Sequence, residues 1–320
     1  MTQPLVSFIL VNYRTPDMTI NCVRSIRERT AIPHEVVVAD SDSGDGSAGK
    51  IRVACPGAIV TELDRNLGFG AGCNAAARLA GGKYLYLLNT DTLLHEDSAD
   101  VLARFLAVRP GVVAVGSRLF YPDGSPQASA SKYPSLLGLV AGRDALARMV
   151  HPVWPSLGRA LASSPPAEWL KEPIRADWCV GASLMVRAGA YRGVGGFDED
   201  FFMYAEETDL CLRLSKLGEI WYTPETAVLH LEGGSGGLEP NPARLARIAA
   251  GHRLYFEKHV GRLAARTYMA VWRALSAGKY LFWRGRSLLS RSAGDRKRAE
   301  WHRLFVANAT ALRYPLDDRR

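Results

Sequence analysis

Six acidic side chains crowd into residues 198–209 of Gly195-Gly196-Phe197-Asp198-Glu199-Asp200-Phe201-Phe202-Met203-Tyr204-Ala205-Glu206-Glu207-Thr208-Asp209-Leu210. Phe197, Phe201, Phe202, Met203 and Tyr204 are interleaved with them. A purely solvated acidic face has no use for such neighbours. Beside them a carboxylate loses part of its water, and its pKa rises toward that of a working base. The same spacing suits an amphipathic helix with acids in its first turn, where the helix dipole favours them. Spacing alone leaves both readings open.

Three other stretches could do chemistry. Asp40-Ser41-Asp42-Ser43-Gly44-Asp45-Gly46-Ser47 has the acids of a calcium loop, but Ile51 stands where such a loop needs its closing Glu. Helix capping by Ser47 and recognition of a ligand hydroxyl by Asp40 explain it better. Asn66-Leu67-Gly68-Phe69-Gly70-Ala71-Gly72-Cys73-Asn74 fails the dinucleotide pattern G-x-G-x-x-G at Cys73. Its glycines suit a helix start that a ligand or a strand approaches closely. Asn89-Thr90-Asp91 is a shortened D-x-D in which one carboxylate can hold Mg²⁺ or Mn²⁺ when ligand phosphates complete the shell. The competing reading is a polar strand-to-helix turn capped by Asp91 or Thr92. His230, before Gly233-Gly234-Ser235-Gly236-Gly237, is either a metal ligand or a structural histidine.

These residues need a scaffold. Short apolar runs predict strands over 5–11, 35–39, 58–63, 84–88 and 112–116. Helical patterns start at Thr15-Pro16-Asp17 and run over 71–80 and 96–108. Such alternation means a mostly parallel sheet covered by helices, with ligands beyond the carboxyl ends of its strands. Asp40 and Asp91 sit at two such ends. Residues 121–176, rich in Pro, Ser and Gly, read as an insertion that shapes acceptor choice, with an amphipathic piece over 145–150. Order returns in a buried strand over 178–186 and short strands over 220–222 and 228–230. From Asn241 the chain turns helical and basic, with Trp272, Tyr280, Phe282 and Trp283 among Arg273, Lys279, Arg284 and Arg286. That mix suits either an anionic membrane surface or a helical appendage packed on the core.

Composition narrows the classes. The chain has 320 residues, of which 48% are hydrophobic and 22% charged, with net charge +8. That balance fits a globular protein with an anionic partner: nucleotide, nucleic acid or acidic membrane. Five scattered cysteines without a CxxC pair argue against a zinc site or a disulfide framework and for a reducing compartment. The apolar run at 4–11 lacks a basic leader and reads as a first strand. No apolar run reaches membrane-spanning length.

Taken together the motifs resemble glycosyltransferase family 2, inverting sugar transferases of GT-A fold, and most nearly their bacterial rhamnosyltransferase-like branch. The likeness covers residues 5–235 in family order: Val6 to Tyr13; Val37-Val38-Ala39-Asp40 with Ser43 to Ser47; Asn66 to Gly70 with Asn74; Leu87 to Thr92; Asp177-Trp178 with Gly181-Ala182; Gly195 to Glu199; Tyr204 to Arg213; and His230 with Ser235. The resemblance implies that Val11, Asn12, Tyr13 and Asp40 hold base and ribose and that Asn66, Gly68 and Asn89 frame the nucleotide pocket. Asp91 and His230 would hold a divalent cation, Mg²⁺ or Mn²⁺. Asp177, Trp178 and Gly181 would lie near sugar or acceptor. The family's E-D-x-D corresponds to Glu206-Glu207-Thr208-Asp209. Its second acid, the general base, is Glu207 here, one methylene longer, which leaves Glu206 and Asp209 as alternatives.

The expected fold is therefore α/β and GT-A-like. Residues 1–240 form a glycosyltransferase domain, with a nucleotide-binding half over 1–120 and an acceptor half over 121–240. Residues 241–320 form a basic helical region. The expected reaction moves a sugar, rhamnose from dTDP-rhamnose by preference, to a saccharide or polyprenyl-linked acceptor with inversion, during surface-polysaccharide synthesis. The enzyme would be cytoplasmic, with its C-terminal region on the inner membrane face. UDP-sugar donors and a non-catalytic nucleotide-sugar-binding scaffold are the alternatives. A nucleotidyltransferase needs a basic glycine-rich loop after the first strand, which Asn12-Tyr13-Arg14-Thr15-Pro16 does not supply. Nucleic acid is not expected as a partner, because no recognition motif for it appears.

Overall fold

The computed structural model describes residues 4–140, 143–231, 241–290 and 292–308. It opens with β1 (Val6–Asn12), α1 (Pro16–Arg29), β2 (His34–Asp40), α2 (Ser47–Ala54), β3 (Ile59–Glu62), α3 (Phe69–Leu79) and β4 (Tyr84–Leu88). Then come β5 (Thr92–Leu94), α4 (Ser98–Ala107) and β6 (Val112–Phe120). Short pieces follow: β7 (Pro126–Gln127), β8 (Ala130–Ser131), α5 (Leu136–Val140), α6 (Arg143–Val150), α7 (Pro155–Leu161) and β9 (Ile174–Arg175). The chain continues through β10 (Trp178–Cys179), β11 (Ser183–Arg187), α8 (Ala188–Gly193), α9 (Glu206–Leu214) and β12 (Glu219–His230). Three helices, α10 (Pro242–His259), α11 (Arg262–Ser290) and α12 (Ala293–Asn308), complete it.

The main sheet runs β3-β2-β1-β4-β11-β6-β12-β5. β1 lies parallel to both β2 and β4, whereas β11 is antiparallel to β4 and β6. The strand VSFILVN is apolar almost throughout because both of its faces are covered. Val6, Phe8 and Leu10 join Ile20, Val23 and Ile26 of α1 and Leu102 and Phe105 of α4. Ile9, on the other face, meets the alanines of α3 and Leu210 and Leu214 of α9. Strand period two and helix period 3.6 thus close two cores around one sheet. A third core joins Phe201 to Leu245, Tyr255 and Phe256 of α10, Tyr268 and Met269 of α11, and Phe305 of α12.

The expected α/β sheet and C-terminal helices are present, but the sheet is mixed where a mostly parallel one was expected, because β11 runs antiparallel to β4 and β6 and β12 antiparallel to β5. Several boundaries differ, for local reasons. The strand expected over 178–186 breaks at 180–182, where a turn separates β10 from β11. The two strands expected around 220–230 are one, β12, and an irregularity between Thr223 and Ala227 accommodates Pro224. Gly46, not Ser47, occupies the cap of α2, with φ of 80°, and the Ser47 hydroxyl donates to Asp45 instead. After Asp91 the chain forms β5, and α4 is capped by Asp97, which accepts from the Asp100 amide. All five cysteines are buried free thiols. No described helix is long and apolar enough to cross a membrane.

Candidate active site

A cavity of about 340 Å³ opens beyond the carboxyl ends of β1 and β4. Of the residues singled out from sequence, Val11, Tyr13, Asn66, Gly68, Asn89, Asp91, Gly181, Glu206, Glu207 and His230 line it. Chain segments far apart in sequence meet there because the parallel order delivers every β–α loop of the first half to one sheet end. Asn66 accepts from the Gly68 amide at 2.9 Å, and the Phe69 amide donates to the Phe202 carbonyl at 3.1 Å. Gly68 has φ of 93°, and a Cβ there would fall 1.9 Å from the Phe202 oxygen, so only glycine fits.

Asp91 and His230 face each other, with Oδ1 and Nε2 3.4 Å apart. The partner that orients the imidazole is Gln127. Its amide nitrogen donates to the His230 carbonyl at 2.8 Å, which turns its oxygen onto His230 Nδ1, also at 2.8 Å. Nδ1 therefore carries a hydrogen, and in the neutral ring the Nε2 lone pair points toward Asp91. Sequence reading gave no sign of Gln127, which lies in the stretch taken for an insertion. Among the described residues no cluster of three or more His, Cys, Asp or Glu could hold a metal alone. The pair fits a cation whose other ligands come from phosphate and water.

The structure sorts the six acids of the aromatic cluster by partner. Asp198 and Asp200 both pair with Lys258, at 2.5 and 2.7 Å. Glu199 accepts from Asn74, whose amide also spans the Phe197 backbone and the Tyr191 hydroxyl, clamping the turn 195–199 onto α3. Asp209, 1% exposed, takes two hydrogen bonds from Arg213 and one contact from His259 Nε2 at 2.8 Å. Asp209 thus stands outside the cavity as a tether between α9 and α10, and the alternative of Asp209 as base is set aside on this geometry.

Glu206 and Glu207 remain, in the first turn of α9 and in the cavity wall. Each has a buried Oε2 without a hydrogen-bond partner. Burial pushes the Glu206 carboxyl well above its ordinary range, and the Glu207 charge pushes it further. Burial also raises Glu207, but a hydrogen bond from Glu206 draws it back. Both carboxyls are thus held above their ordinary range and titrate as a pair. Two consecutive left-handed residues, Tyr204 (φ 70°) and Ala205 (φ 69°), turn the chain into α9 and aim this pair. Non-glycine residues hold that conformation only where their surroundings enforce it.

Other expectations shift. Asn12 and Asp40 lie beneath the cavity, not in its wall, 0% and 3% exposed. The Asp40 carboxylate is filled by Asn12 Nδ2 at 2.5 Å and by the Ser43 amide and hydroxyl at 2.9 and 2.7 Å. It fixes the loop from which Ser41 reaches the cavity. Asp177 accepts from the Tyr133 amide, and the Trp178 indole donates to the Lys132 carbonyl; neither lines the cavity. Ser235 and the rest of 233–237 fall outside the described residues. Sequence reading also missed Asn241, Arg244 and Arg247 of α10, which complete the wall. Their only sign was two arginines at helical spacing behind a prolyl helix start.

The α/β sheet, with an acid–histidine pair and a carboxyl pair at its carboxyl end, has the fold of solved GT-A glycosyltransferases. Mannosyltransferase PcManGT from Pyrobaculum calidifontis, solved with GDP-Man and Mn²⁺, shares the fold with a TM-score of 0.57, at 18% identity over 98% of this chain and 88% of that one. The sequence profile of glycosyl transferase family 2 matches residues 7–150. N-acetylglucosaminyl-diphospho-decaprenol L-rhamnosyltransferase of Mycobacterium tuberculosis is 31% identical over 242 residues, 72% of this chain and 75% of that one. Rhamnosyltransferase WbbL of Escherichia coli is 41% identical over 66 residues, 20% of this chain and 25% of that one. The chain belongs to glycosyl transferase family 2 and is a nucleotide-sugar-dependent glycosyltransferase.

Proposed function

We propose that this enzyme transfers rhamnose from dTDP-rhamnose to a lipid-linked saccharide, with inversion, during assembly of surface polysaccharide. The observation that carries the chemistry is the Glu206–Glu207 pair in the cavity that also holds Asp91 and His230. The donor and acceptor class follow the rhamnosyltransferase relatives, one named for a diphospho-decaprenol acceptor.

In this reading Glu207 accepts the proton of the acceptor hydroxyl as its oxygen attacks the anomeric carbon. The bond from that carbon to the diphosphate breaks in the same displacement, and the nucleoside diphosphate leaves. Glu206 stands beside Glu207 in the same turn of α9 and would steady its carboxylate for the transfer. Asp91 and His230 would hold a divalent cation, Mg²⁺ or Mn²⁺, and Gln127 would hold His230 in the ligating tautomer. Such an ion supplies Lewis-acid stabilisation of the leaving diphosphate.

Docking at the cytoplasmic membrane face is part of the proposal. On α11, Leu281, Phe282, Leu288 and Leu289 are exposed, and Arg286 of α11 and Arg298 of α12 flank the Trp283 ring at 5.4 and 4.7 Å. Aromatic and apolar side chains beside arginines suit an anionic headgroup layer.

Thermal-shift titration with dTDP-, UDP- and GDP-sugars, each with and without Mn²⁺, tests the reading. A metal-dependent rise with a dTDP-sugar, lost in Asp91→Ala, is expected. A product with the donor's anomeric configuration would refute inversion. Failure to sediment with anionic liposomes at low salt would remove the docking.

A further inference from the structure

We infer that Arg244 and Arg247 of α10 form a separate anion subsite of the cavity, built to take a diphosphate ester. The inference rests on the glycosyltransferase reading and adds to it a second source of positive charge, independent of Asp91 and His230.

Arg244 and Arg247 are three residues apart, so they share one face of α10, and both line the cavity together with Asn241. The face is fixed in place. Leu245, Ala246 and Ala249 are buried beneath it, and the far end of α10 is tied down through Lys258 to Asp198 and through His259 to Asp209. The Arg247 guanidinium lies 5.6 Å from the centroid of the Phe202 ring, itself a cavity residue. Burial raises the Tyr204 phenol, another cavity residue, and the two arginines act to lower it.

A cavity with Asp91, Glu206 and Glu207 in its wall repels a diphosphate unless positive charge is supplied. A guanidinium is the side chain whose fork matches two phosphate oxygens, and it stays charged at every working pH. α10 also lies beyond the part of the chain that the family profile covers. Two substrates could bring the diphosphate: the nucleotide-sugar donor, or a prenyl-diphosphate acceptor.

The test uses the full chain and calorimetric binding of two probes, dTDP with Mn²⁺ and geranyl diphosphate. Arg244→Gln/Arg247→Gln is expected to weaken one probe by about 10- to 100-fold, as the loss of charge-assisted hydrogen bonds implies. Loss confined to dTDP assigns the subsite to the donor; loss confined to geranyl diphosphate assigns it to the acceptor. Arg244→Lys/Arg247→Lys, which keeps charge but not the fork, is expected to fall between. Circular dichroism and melting temperature verify that the variants fold. The inference is overturned if the double glutamine variant binds both probes within about twofold of the parent while Asp91→Ala loses dTDP. That outcome leaves the glycosyltransferase reading standing. If the parent protein binds neither probe, the proposed dTDP donor and prenyl-linked acceptor fall, and this inference with them.

Discussion

Replacing Glu207 by Gln separates the carboxyl pair's chemistry from its structural cost. The side chain keeps its size, but the base is gone. General-base catalysis contributes about 10²- to 10⁴-fold, so kcat is expected to fall by that factor, about 3–5.5 kcal/mol of barrier. Stability is expected to move the other way. Glu207 Oε2 is buried without a partner, and removing such a charge recovers about 1–3 kcal/mol of desolvation. The pH dependence gives the sign. Burial raises the native carboxyl above its ordinary value of 4.5. Below that value the folded and unfolded states are both protonated, and parent and variant differ little. As pH climbs, the unfolded carboxyl ionises first, so the parent loses stability until the native carboxyl ionises too. The variant's advantage therefore grows from about pH 4.5 upward and then levels off. Initial rates of sugar transfer and melting temperatures between about pH 4.5 and 8.5 measure both effects. A variant that is less stable than the parent at neutral pH, or that retains more than about a tenth of kcat, refutes the assignment. Glu206→Gln is the companion variant: its amide still donates to Glu207, so kcat is expected to drop less than about tenfold.

Two further outcomes follow from other contacts. Gln127→Leu removes the acceptor on His230 Nδ1; Mn²⁺ affinity measured calorimetrically in the presence of dTDP is expected to fall about 10- to 100-fold, with metal-free dTDP binding unchanged. Asp209→Asn leaves Arg213 and His259 against a neutral amide; denaturant titration is expected to show a loss of about 3 kcal/mol, with kcat at low temperature nearly retained.

Strands β1 to β4 were legible because each is an apolar run closed by a polar turn, and their expected bounds lie within a residue of those observed, whereas β6 runs on four residues past Gly116 and β5 was not expected. Asn89-Thr90-Asp91 and His230 were legible for the same reason: both stand at strand ends, where a parallel sheet presents its ligands. The acid cluster was legible only in part. The helix-dipole reading fits Glu206, Glu207 and Asp209, all in the first turn of α9, and the catalytic reading is proposed for the two of them that line the cavity. Deciding between them required partners that sequence spacing cannot supply: Asn74 for Glu199, Lys258 for Asp198 and Asp200, His259 for Asp209. Asp40 looked exposed to ligand because it ends a strand, yet Asn12 at the matching position of the neighbouring strand takes its carboxylate. Gln127 and the α10 arginines stayed hidden because their meaning comes from what stands across the cavity, not from their neighbours in the chain.

The contact of His259 with Asp209 has a consequence for the order in which the enzyme is made. A chain on the ribosome can form its sheet once β12 has emerged, since every strand among the described residues precedes residue 231. At that stage α9, which carries the carboxyl pair, lacks both His259 and the Lys258 clamp on the turn before it. Asn74 and Arg213 already anchor α9 and the turn before it to the sheet domain, and the end of α10 adds the last two contacts. A chain at that stage has its sheet but a cavity wall that still lacks Asn241, Arg244 and Arg247.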